Sequence, residues 1–344
     1  MSKAALGSSS KEFLGHLHAF RAIAILYIVA GHALDAFSWD SAPLLGKTIR
    51  VFCGNGSSLF VFIAGYLFQH LSRRFNVAEY YRSKLRNVIV PYLIVSVPAL
   101  VAVASGLLVR WDVPPELTTW PLWERVLWLL GTGRHLSPLW FIPMISIFYL
   151  AAPLLVAMDR RPRWYVVWPL LMAVTMVVGR GFAPQSFVHF LSFYVAGMFF
   201  SHYRAVLDPW LKKSVLWLPL LLLAVVLGVL QIAGNAFGLP FFALNAWQKL
   251  FVCLALLGVL PACTRLIASP KVSELADLSF GLFFIHSYFI TGAKLAYSRL
   301  VGAAPTGNLL SWMLFTAVVV LLCCAVLRVV KHFAGPRSRW LVGC

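Results

Sequence analysis

Ten stretches of mostly apolar residues recur along the chain, at about 18–37, 52–72, 87–109, 138–157, 164–180, 186–203, 214–233, 245–264, 276–298 and 308–332. Each approaches the ~20 residues a helix needs to cross a hydrocarbon core. The apolar positions run on continuously instead of alternating in ten-residue segments, which favours helices over an outer-membrane barrel. The pattern predicts an all-α fold: a polytopic transmembrane helix bundle of about ten spans. Residues 119–133, TWPLWERVLWLLGTG, are amphipathic and interrupted by Glu124 and Arg125. They read as an interfacial helix in an external loop. With no Gly/Ser-rich linker and no internal repeat, residues 1–344 form a single membrane-embedded domain with short cytosolic tails at about 1–12 and 333–344. The start, MSKAALGSSSKEFLGHLH, lacks the apolar core and cleavage site of a signal peptide.

Composition sharpens this picture. The chain has 344 residues, 61% hydrophobic and only 12% charged, with a mean hydropathy of +0.84. Soluble proteins carry about 25% charged residues. The +18 net charge is explained by where the basic residues fall. With the N-terminus inside, nineteen of the 29 Lys and Arg lie on inner segments, among them Lys3, Lys11, Arg73, Arg74, Arg160, Arg161 and Arg163. Seven lie on outer loops, and Arg21, Lys249 and Lys294 lie within spans. An excess of Lys and Arg marks the cytoplasmic side, so both termini are expected there. Topology and anionic lipid headgroups account for the charge without nucleic acid. Six cysteines (Cys53, Cys253, Cys263, Cys323, Cys324 and Cys344) show no metal-ligand spacing and are expected as free thiols, with no metal site.

Candidate chemistry begins in the first span, FRAIAILYIVAGHALDAF. Arg21 and His32 are eleven residues apart, three turns plus about 20°, so they share one helix face roughly 16 Å apart along the axis. Arg21 snorkelling to the interface and His32 bonding a neighbouring helix would explain them structurally. Ionisable groups inside a span also mark functional cavities. Asp35 follows His32 by three residues, close enough on a helix to orient its ring as a general base needs. Otherwise Asp35 simply marks the outer interface with Asp40. Arg82, Lys84 and Arg86 stand immediately before the third span, where they suit a phosphate-rich cytosolic molecule beyond what topology requires. Trp140 belongs to an interfacial aromatic belt or to a substrate site. His286 sits near mid-membrane among aromatics, as a structural or a substrate-facing residue. Arg134, His135 and Glu116 lie in the longest external loop, where they would be placed to touch a substrate.

R-x10-H in the first span, LFVFIAGYLF in the second, YYRSKLRNVIVPYL entering the third, PLWFIPMISIFYLAAPLL and LSFGLFFIH together resemble the acyltransferase family 3 membrane enzymes. The resemblance runs from about Phe13 to His332. It implies a bacterial inner-membrane enzyme that moves an acyl group, commonly acetyl, from cytosolic acyl-CoA to a hydroxyl of a surface polysaccharide or glycolipid. It also implies His32 as catalytic base, Arg21 as its essential companion, and Arg82, Lys84 and Arg86 for the coenzyme phosphates. Ala64 departs from the family, which often has serine there, so no nucleophile is expected at that position. The chain stops soon after the tenth span without the extracytoplasmic domain some members carry, which leaves acceptor handling to the membrane domain or to a separate extracytoplasmic partner.

The expected mechanism is direct transfer. Arg21 would bind the donor or stabilise developing charge, a choice the sequence leaves open. A transporter or flippase for a lipid-linked or acyl intermediate is the rival class, since buried Arg and His also suit ion pathways. Against it stand the absence of an inverted repeat and of paired broken helices. A glycan polymerase is a third class, for which the 110–137 loop is short.

Overall fold

Apolar runs in lipid fold as helices because every backbone polar group must be satisfied within the segment. The computed structural model describes residues 14–110, 112–237 and 240–344, and no strand forms among them. The helices are α1 (Gly15–Ala33), α2 (Pro43–Cys53), α3 (Ser57–Leu71), α4 (Val77–Lys84), α5 (Val90–Ala104), α6 (Leu122–Thr132), α7 (Phe141–Leu150), α8 (Ala152–Asp159) and α9 (Trp168–Val177). They continue with α10 (Ala183–His202), α11 (Arg204–Leu211), α12 (Ser214–Phe237), α13 (Phe241–Val259), α14 (Thr264–Ile267), α15 (Pro270–Val301), α16 (Leu309–Ala334) and α17 (Ser338–Leu341).

Small residues let the innermost helices meet. Gly65 of α3 faces the Tyr194 carbonyl and Gly197 of α10 faces the Phe62 carbonyl, so closely that a Cβ at either glycine would collide with backbone. In lipid, such close backbone approach replaces the hydrophobic effect as the force between helices. Around this pair lie the fully buried Phe62, Tyr66, Phe190, Phe193 and Tyr194. The periphery is the reverse: Leu222, Val226 and Val229 of α12 and Leu314 and Leu321 of α16 are exposed, as lipid-facing side chains should be.

The second span is broken between α2 and α3 at Gly54–Gly56, which leaves carbonyls without helical partners. Lys249 of α13, fully buried, satisfies them. Its Nζ donates to the Val51 and Phe52 carbonyls at 2.9 and 3.1 Å and to the Tyr27 hydroxyl at 3.1 Å. A cation at a helix C-terminus also complements the helix dipole.

The span count differs from the expected ten. Among the described residues, seven helical stretches are long and apolar enough to cross, and an eighth forms if α7 and α8, bent by 54°, are one span. Two expected spans fail that measure for visible reasons. The 164–180 run opens on a 3-10 turn (Pro162–Val167), leaving only ten α-helical residues in α9. Helix α10 is full length, but Gln185, Ser186, His189, Ser192 and Ser201 dilute its hydropathy. The amphipathic 119–133 segment does form a short helix, α6, with Leu122, Trp123 and Leu127 exposed and Leu129 buried. The expected N-terminal tail, with Lys3 and Lys11, lies outside the described residues. Residues 335–344 fold back on the bundle: Gly343 contacts Phe280 and Phe284, and the Ser338 hydroxyl donates to the Cys344 carbonyl. All six cysteines are free.

Candidate active site

Helices α1 and α15 run side by side in the same direction, since their bridges ascend together in both. His18 bonds the Ser273 carbonyl at 3.1 Å, Arg21 donates to the Ser279 hydroxyl at 3.1 Å, and His32 meets His286 at 2.8 Å. Ser279 and His286 are seven residues apart, two turns less about 20°, so they too share one face. Two polar faces of matching sense therefore zip one interface.

The hydrogen bonds fix the protons on the histidine pair. Nδ1 of His286 lies 2.8 Å from the Leu282 carbonyl, which can only accept, so Nδ1 carries a hydrogen. In the neutral ring its Nε2 is then an acceptor, and Nδ1 of His32 donates to it. The consequence is that the lone pair of His32 lies on Nε2. His286 is fully buried, whereas His32 is partly open. The rings stack at 5.1 Å between centroids. Thus a buried, oriented histidine presents a second, reachable one with its basic nitrogen free.

Asp35 does not take this orienting role. The helix tightens into a 3-10 turn at Leu34–Ala36, and the Asp35 carboxylate accepts from Arg50 at 3.1 Å on the exposed surface. On the His32 side that leads away from Arg21, the Arg180 guanidinium lies over the Trp140 ring, 5.7 Å from its centroid, and its charge acts on His32. Trp140 in turn stacks on Phe190 at 6.0 Å. Neither Arg180 nor its place above Trp140 was legible in the sequence, where it counted only as an outer-loop charge.

At the Arg21 end the bundle opens into a cavity of about 490 Å³, lined by Arg21, Lys84, Lys331 and Arg339, with Asp277 as its acidic side chain and Ser83 and Asn87 as neutral polar groups. Lys84 is held over Tyr80 and Tyr149, 5.1 and 4.8 Å from the ring centroids. The expected Arg82–Lys84–Arg86 trio does not act together. Arg82 and Lys84 are two residues apart, about 200° around a helix, and Arg82 is exposed. A π-helical turn at Leu85–Ile89, ahead of Pro91, then brings Asn87 and Val88 to the cavity. Arg86 instead stacks on Trp340 at 3.3 Å. Four cationic side chains against one acidic side chain give the cavity lining a net positive charge.

The residues of the 110–137 loop are mostly structural. His135 is fully buried; its Nδ1–H donates to the Leu129 carbonyl at 3.0 Å and its Nε2 accepts from the Ser96 hydroxyl at 2.8 Å. Burial drives its pKa down to about 4, against a weaker pull upward from the Leu129 carbonyl, so it stays neutral. Arg134 donates to the Asp112 carbonyl at 2.7 Å and lies over Phe182. Glu116 is exposed. No group of three His, Cys, Asp or Glu among the described residues is placed to hold a metal.

An aligned Arg and His on α1, a positively charged cavity at one end and an oriented imidazole further along suit transfer of a group carried on an anionic donor. A family model described as an acyltransferase domain matches residues 15–328. The chain belongs to this acyltransferase family. No curated protein and no solved structure gave a match. The acyltransferase domain spans both ends of the α1–α15 interface, so Arg21, His32, Lys84, Trp140 and His286 all fall within it, whereas Lys331, Arg339 and Trp340 lie beyond.

Proposed function

We propose that the protein is a multi-pass enzyme of the bacterial inner membrane. In this reading it moves an acyl group, most simply acetyl, from cytosolic acyl-CoA to a hydroxyl of a surface polysaccharide or glycolipid. The carrying observation is the proton arrangement of the histidine pair, which leaves Nε2 of His32 basic and reachable. The excess of basic residues at the cavity end of α1 supports a cytosolic donor. The donor phosphates would rest against Arg21 and Lys84, with the thioester arm extending about 16 Å along α1 toward His32.

His32 Nε2 then takes the proton of the acceptor hydroxyl as its oxygen attacks the thioester carbon. The C–S bond breaks and the imidazolium returns that proton to the leaving thiolate, so the enzyme ends as it began. His286 keeps the bond to Nδ1 throughout and steadies the transient positive charge. Direct transfer is favoured because no serine or cysteine hydrogen-bonds to His32 among the described residues. In this reading the Arg180 guanidinium, held over Trp140 and acting on His32, would meet the acceptor. His32→Ala should lower ester formation on surface glycans by about 10²–10⁴-fold at normal expression. Wild-type ester content in that variant, measured by mass spectrometry, would sink the mechanism. Accumulation of a lipid-linked precursor with unchanged esters would point to a flippase.

A further inference from the structure

The inner cavity is completed by a segment outside the family domain. The family match ends at residue 328, yet Lys331, Arg339, Gly343 and Cys344 line the cavity with Arg21 and Lys84. The chain gets there by reversing direction. Gly335, with φ +53°, ends α16 in a conformation that L side chains rarely adopt, and a 3-10 turn leads into α17. Two contacts seat the wrap on the bundle and a third braces it internally. Trp340 stacks under the Arg86 guanidinium at 3.3 Å, Gly343 rests on Phe280 and Phe284, and Ser338 bonds the Cys344 carbonyl.

This arrangement holds like charges together. The charge of Arg339 acts on both Arg21 and Lys84, and Asp277 is the acidic side chain among the described lining residues. Lys331 and Arg339 keep exposed side chains, and the wrap brings them to the rim of the same cavity as Arg21 and Lys84. Such a cluster gains most from a ligand with two or more negative charges close together, because each phosphate oxygen relieves repulsion as well as accepting hydrogen bonds.

We propose that Lys331 and Arg339 are phosphate-binding residues of the cavity, and that Arg86 is a positioning residue, the post that holds the wrap through Trp340. The ligand class is a soluble nucleotide bearing closely spaced phosphates; its identification with the donor rests on the acyl-CoA reading above. The probe is adenosine 3′,5′-bisphosphate, titrated calorimetrically into the full chain in phosphatidylcholine nanodiscs.

Arg339→Gln and Lys331→Gln should each weaken binding about tenfold, with Arg339→Lys recovering part of the loss. Trp340→Ala should weaken it too, by freeing the wrap. Thermal unfolding of each variant checks that the bundle is intact. Wild-type affinity in intact Arg339→Gln and Lys331→Gln proteins would overturn the proposal, as would equal binding of adenosine without phosphates. So would loss of nucleotide binding when phosphatidylglycerol is added to the disc, since the cavity would then belong to lipid headgroups. The outcome is separable from the catalytic reading. Binding that depends on Arg339 in a protein whose ester formation survives His32→Ala leaves this proposal standing and removes the other.

Discussion

The Leu282 carbonyl, a backbone atom with no chemistry of its own, decides which nitrogen of His32 is basic. It holds the proton on His286, and His286 passes the constraint on. His286 is therefore a positioning residue, and its variants should separate by hydrogen-bonding capacity. Glutamine can still accept from His32 Nδ1–H, whereas leucine cannot. His286→Leu should lower kcat at least about tenfold more than His286→Gln, with little change in the KM for acyl-CoA. Equal kcat values in assays of the two purified variants would remove the orienting role. The sequence displayed His286 near mid-membrane but gave no sign of its partner, 254 residues away. Asp35 was the attractive local choice because three residues on a helix bring side chains together. The helix tightens at that point, and Arg50 offers the carboxylate a charged partner at the surface. The periodicities were legible all the same: eleven residues on α1 and seven on α15 each keep two polar groups on one face.

Among the elements, α3 and α10 depend most on what they lack. Gly65 and Gly197 each admit the backbone of the facing helix, and any side chain at either position meets a carbonyl. Gly197→Leu should destabilise the bundle by at least ~2 kcal/mol through forced separation of the two helices. Thermal unfolding in detergent checks this, and an unchanged midpoint would show that the contact is not needed. The helices themselves were legible from apolar runs, because lipid imposes one rule on all of them. Their breaks were not. Whether a run near twenty residues holds as one helix depends on local prolines and on distant groups such as Lys249, which satisfies the carbonyls exposed between α2 and α3.

For the whole molecule, the distribution of charge sets direction. The cavity gathers Arg21, Lys84, Lys331 and Arg339 at one end of the bundle, and a membrane normally holds such an end in the cytoplasm. A reporter fused after Cys344 should accordingly be active only in its cytosolic form, and one inserted in the 110–137 loop only in its external form. A C-terminus found outside would reverse the proposed donor and acceptor sides. Basic clusters were visible along the chain, but their division of labour was not. Arg82, Lys84 and Arg86 look alike in one dimension. In three, one is exposed, one lines the cavity and one holds Trp340. The pairing of Arg21 with Ser279 and His32 with His286 along two helices of the same sense has a last consequence. It makes α1 a measuring rod whose graduations are helical turns. One residue added or lost between its two marks would swing them about 100° apart and shift them by about 1.5 Å. Substitutions along the rod leave that spacing intact, whereas an insertion or deletion does not.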